Sequence, residues 1–137
     1  MITVKIKLFL VALMVFFITD FLWIGFFAKN LYLQNYKPWV NLVDGQLKPV
    51  LWPALMVYLL LALGVVVFVL PAANYTWLHA LYCGAIFGAI VYGVYDFTLL
   101  ALFKGFPTFI ALLDWVWGMV LCSWSSVVTL VVYRYLK

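Results

Sequence analysis

The chemistry this chain can offer rests on three aspartates. It has four acidic residues, Asp20, Asp44, Asp96 and Asp114, and no glutamate. Asp44 stands in a polar connection, where it is expected to be solvated. Asp20, Asp96 and Asp114 sit inside apolar runs, where an ionised side chain costs about 2.5–3.5 kcal/mol on insertion scales. Asp20 lies seven residues before Phe27, Asp96 seven before Phe103 and Asp114 seven after Pro107. At about 1.5 Å of rise per helical residue, each falls roughly 10 Å below the same membrane face. Asp96 and Asp114 are each nine residues from Gly105, so an antiparallel hairpin is expected to set them at equal depth. Three like charges in a low dielectric cannot all ionise. At least one is expected to hold a proton, or a cation to sit among them.

The residues around the acids suggest faces turned inward. Gly84, Gly88, Tyr92 and Asp96 follow one another at four-residue steps, a single helix stripe on which the glycine pair permits close helix approach. Asp114, Gly118, Cys122, Ser125 and Thr129 form a small, polar face on the next helix. Tyr95 and Thr98 add hydroxyls near Asp96. A short echo links Asp20 to Trp23 and Asp114 to Trp117, each indole three residues after its acid and on the same face. An indole N–H is a donor for a neighbouring carboxylate. Asp20, Asp96, Asp114, Trp23, Trp117, Tyr92, Tyr95 and Thr98 are therefore the candidate ligand, proton or cation site, with Gly84, Gly88 and Gly118 as packing positions. The competing reading is a polar network that only fixes helix register.

The elements that position these groups follow from composition. Of 137 residues, 70% are apolar, 20% aromatic and 9% charged. A soluble domain carries roughly 25% charged residues. A water-soluble enzyme, a disordered chain and a disulfide scaffold are excluded. About 20 apolar residues span a bilayer core. Four segments meet that length, residues 6–27, 50–70, 78–103 and 107–133. They predict an all-α, polytopic membrane protein, one domain of four helices in an antiparallel bundle. Residues 28–49 are expected to lie at the interface, with Pro38 opening a short helix. Lys104-Gly105-Phe106-Pro107 joins helices three and four tightly. Helix two has few polar groups and is expected to pack rather than take part in chemistry. Tyr32, Trp39, Trp52, Trp77, Tyr133 and Tyr135 are expected in the interfacial aromatic belts.

Other signals narrow the function. The eight basic residues fall near helix ends, in no run or patch, which suits lipid headgroups and does not imply nucleic acid. No cofactor is expected. His79 is the sole histidine, so bis-histidine haem ligation is out, and no lysine lies mid-helix for a Schiff base. Cys83 and Cys122 read as small buried hydrophobes. Lys5 and Lys7 before the first apolar run read as a retained first helix, and with the free amine they favour both termini inside.

At these residues the chain resembles the bacterial membrane proteins grouped as domain-of-unknown-function family 2177. The resemblance rests on Asp20-Phe-Leu-Trp23-Ile-Gly25, on Tyr58, Gly64, Phe68 and Pro71-Ala72, and on Gly84-Ala-Ile-Phe-Gly88. It continues through Tyr92-Gly-Val-Tyr95-Asp96-Phe-Thr98, Lys104-Gly105-Phe106-Pro107 and Asp114-Trp-Val-Trp117-Gly118. The family usually has Asn after the Thr, whereas this chain has Leu99. The resemblance implies a four-helix protein of the bacterial inner membrane, often encoded near lipid-modifying genes.

Three functions compete. The first is binding or transport of a proton, cation or amphiphilic, lipidic ligand in an acidic pocket, in a bundle small enough to be expected to dimerise. The second is a membrane enzyme acting on a lipid or isoprenoid. Aspartate would serve as acid and base, or three carboxylates would hold Mg²⁺. The third is a structural or partner-binding subunit.

Overall fold

The computed structural model describes residues 2–136, with the side chain of Leu136 left out of the description. Helix α1 (Ile2–Leu22) runs into a wider π-helical turn, Trp23–Phe27. A short helix α2 (Lys29–Tyr36) follows, then a two-stranded hairpin of β1 (Leu42–Val43) and β2 (Gln46–Leu47). Helix α3 (Leu51–Gly64) continues through a second π-helical turn, Val65–Val69, into α4 (Leu70–Ala72). Helices α5 (Trp77–Leu102) and α6 (Thr108–Leu136) complete the chain. Four stretches are long and apolar enough to cross a membrane: Ile2–Phe27, Leu51–Ala72, Trp77–Leu102 and Thr108–Tyr135. Their exposed faces carry Leu10, Met14, Phe21, Leu55, Ile90 and Val94. In a bilayer these side chains face lipid, and helical pairing satisfies main-chain polar groups where no water can.

The polar connection between the first and second spans is ordered by local chemistry. Asp44 and Gly45 both adopt positive φ, 52° and 74°, so the hairpin closes on an Asp-Gly turn. That pair of left-handed residues matches the natural twist of two antiparallel strands. Val43 then pairs with Gln46, and Leu42 with Leu47.

The tightest contact in the bundle is between α5 and α6, and small residues make it. A β-carbon at Gly84 would stand 2.7 Å from the Cys122 carbonyl oxygen, and one at Gly88 would strike the main chain of Gly118. The helix backbones therefore touch, as small-residue stripes allow where lipid supplies no hydrophobic drive. Helix α1 packs on α6 and α3 through Leu8, Ala12 and Phe16, against Leu61, Val65, Leu121 and Leu130. Helices α3 and α5 barely touch along the α3 half. The π turn at Val65–Val69 and α4 bring the second span onto α5.

Replacing Gly88 by Val should separate α5 from α6, since the clash falls on backbone that has no rotamer to change. Overpacking of this kind costs about 1–3 kcal/mol. Gly25→Ala, where nothing lies within 4 Å of the new methyl, should leave stability unchanged. Thermal unfolding of the detergent-solubilised variants checks both.

Candidate functional site

Asp20 is the most fully bonded of the three acids. Its carboxylate is 7% exposed. Tyr58 on α3 donates its hydroxyl to Oδ2 at 2.8 Å, and the Trp117 indole N–H on α6 donates to Oδ1 at 3.0 Å. One side chain thus ties three spanning segments. Trp117 crosses to Asp20 instead of serving Asp114 on its own helix. Trp23 stacks on Trp117 with ring centroids 4.2 Å apart and planes 10° from parallel. The two Asp-x-x-Trp strings meet face to face. The Trp23 N–H is buried without a partner among the described residues. Trp23 opens the π turn, whose wide ring closes through the Ala28 N–H to the Trp23 carbonyl at 2.7 Å.

Asp114 is half-buried and is capped from outside the spans. The Tyr32 hydroxyl of α2 donates to its Oδ1 at 2.5 Å. Burial, and then the Asp114 charge beside it, push the Tyr32 phenol above the ordinary tyrosine range, so it stays a proton donor. Tyr36, one turn on, is raised first by burial and then by Asp114. It stacks with Tyr32 and meets Phe106 at the α5–α6 turn, which holds α2 over the acids.

Asp96 is 0% exposed, and no N–H or O–H donor reaches either oxygen among the described residues. Tyr92 packs against Gly118, and the same α5–α6 register one turn on brings Asp96 beside Asp114. The two are not at one level. Gly88 lies against Gly118 and Met119. Carried toward the turn, this register sets Asp114 opposite Tyr92, and Asp96 about one turn, roughly 6 Å, nearer the loop. Counting residues from Gly105 misses the stagger because the chain does not turn symmetrically about it. The carboxyls still meet. Side chains lean toward their own helix N-terminus, and in antiparallel helices that tilts Asp96 and Asp114 toward each other.

A cavity of about 430 Å³ opens beside these groups. Asp20 and Asp114 supply its acidic wall, with Tyr92 and Tyr95 alongside. Ile24, Val57, Leu60, Leu61, Phe87 and Val91 make the rest apolar. It lies where α3 and α5 part. The Phe87 ring fills the space a side chain at Gly64 would need and closes one end. Val57, Leu60 and Val91 are exposed, so the opening faces the surroundings of the helices. All hydrogen bonds to Asp20 and Asp114 come from neutral donors, Tyr58, Trp117 and Tyr32. No Lys, Arg or His side chain among the described residues bonds to either carboxyl. Among the described residues, no three His, Cys, Asp or Glu side chains converge as a metal site.

The remaining sequence candidates divide. Tyr92 packs its ring over Gly118. Tyr95 is 55% exposed at the cavity mouth. Thr98 is exposed, neither lining the cavity nor bonding Asp96, because it projects from the other side of α5. Sequence reasoning missed two donors. Tyr58 sits on the helix expected only to pack. Tyr32 was expected in an interfacial belt. A tyrosine one helical face away from apolar neighbours is the one signal available, and it does not name the acid it reaches.

The chain matches the family described as Predicted membrane protein (DUF2177) over residues 5–131, and it belongs to that family. It is a multi-pass membrane protein. No curated protein and no solved structure matches it.

Tyr58→Phe should lower stability by about 0.6–2 kcal/mol, the range for an interhelical bond to a charged acceptor in a membrane. Tyr95→Phe, whose hydroxyl makes no hydrogen bond, should change nothing. In a double-mutant cycle Tyr58→Phe and Trp117→Phe should be non-additive, since both donors serve one carboxylate. Denaturant unfolding in mixed micelles measures all three.

Proposed function

We propose that the protein binds a hydrophobic cation that enters sideways from the lipid between α3 and α5, and that it moves such a ligand within or across the membrane. The observation that carries this reading is the pairing, in one cavity, of apolar walls with carboxylates lacking a counter-ion. A neutral apolar guest would leave that charge uncompensated, and a hydrated metal ion would meet mostly hydrocarbon. An amphiphile with a positive head satisfies both surfaces. The volume falls within the range of small-molecule sites, about 300–1,000 Å³. With both termini on the cytoplasmic side of a bacterial inner membrane, the acids lie toward the outer face, on the side of α2 and the α5–α6 turn.

Tetraphenylphosphonium is a suitable probe, because its charge is fixed and its surface apolar. The purified protein should bind it, with Trp23 and Trp117 fluorescence reporting occupancy. Asp114→Asn should weaken binding by at least about tenfold, as removal of a charged partner costs 1.4 kcal/mol or more. Leu60→Trp, which narrows the opening without touching an acid, should slow association. Equal binding of an uncharged tetraphenyl analogue would overturn the reading.

A further inference from the structure

The pair at the rear of the cavity supports a further step, one that rests on the cavity being a cation site. Asp96 is fully buried, and both its oxygens lack a donor among the described residues. The Tyr92 side chain lies against Gly118, and one turn nearer the loop the same α5–α6 register sets Asp96 against Asp114. Ionised carboxylates are acceptors only, so neither can satisfy the other, and at this separation two charges repel strongly. One proton between them turns the repulsion into an O–H···O⁻ bond, among the strongest in proteins. Among the described residues, no Lys, Arg or His contacts either acid. The pair is faced by the hydroxyls of Tyr32 and Tyr36 from α2 and of Tyr95 from α5, and Asp114 also by the carboxylate of Asp20 from α1. Tyr92 of α5 also stands opposite Asp114; none of these groups is a cation, and the Tyr32 hydroxyl already donates to Asp114.

We propose that Asp96 and Asp114 hold one proton jointly, and that a hydrophobic cation docking on Asp114 expels it, so that the site exchanges one proton for one cation. The exchange balances in charge and atoms. The O–H bond of the shared proton breaks, the proton passes to water, and the fixed positive charge of the guest takes its place beside the carboxylate. Asp96 does not line the cavity. It acts on the guest only through Asp114 and is a proton partner, not a ligand contact. Because proton and guest compete for one group, neither can occupy it fully while the other is bound. That competition is the requirement for coupling flux of one to flux of the other.

The test adds tetraphenylphosphonium bromide to the purified full chain in weakly buffered detergent solution with an indicator dye. About one proton should be released per cation bound, and the apparent Kd should fall about tenfold per pH unit while the shared proton is present. An infrared carboxylic-acid stretch should be visible before the cation is added and lost afterwards. In Asp96→Asn the amide N–H can stand in for the shared proton. That variant should still take up the cation, with no proton released and a flat pH profile. Should it fail to fold, the infrared change in the wild type decides alone. Cation binding by the wild type with no proton released would overturn the exchange and leave the cation site standing. Absence of cation binding would overturn both.

Discussion

A carboxyl packed among membrane helices must be satisfied by the protein, because lipid offers no hydrogen-bond donor. Asp20 meets that constraint with two neutral donors brought from other helices, Tyr58 of α3 and Trp117 of α6. The residues are 38 and 97 positions away in sequence, so a single buried acid sets the mutual arrangement of three spans. The Trp23–Trp117 stack lies on the same joint. Rotating any of the three helices by one residue would strand a polar group in hydrocarbon. Both donors are neutral, so among the described residues no cation is paired with this acid.

The cavity exists because the bundle is packed unevenly. Glycines let α5 and α6 approach to backbone contact. The second span reaches α5 through its π turn and α4, while the α3 half stands away. Space therefore collects on the side where Asp20 and Asp114 project. The π turn at Trp23–Phe27 works at the same level. It widens the end of α1, after which Ala28 lets the chain fold back so that α2 lies over the acids. Tyr32 then closes Asp114 from the interface, and Tyr36 and Trp39 anchor the cover on Phe106. An opening between α3 and α5 and a cover over the acids accompany two local departures from ideal helix.

The sequence alone determined the class of protein and the number of spans, because both follow from run length and from the cost of charge in hydrocarbon. It also determined which helix faces are small, since Gly84 and Gly88 recur at helical spacing. The placement of Asp20, Asp96 and Asp114 near one end of the bundle was legible for the same reason, distance along a helix being fixed per residue. Only the tertiary structure decided which groups meet. Helical periodicity names a face and not the partner opposite it, so Tyr58 and Tyr32 were invisible as donors and Thr98 was misplaced. The one-turn stagger of Asp96 and Asp114 came from glycine contacts that set the α5–α6 register. Their carboxyls meet only because antiparallel side chains lean toward each other. The cavity between α3 and α5 depends on how helices tilt and part, and no local spacing encodes that.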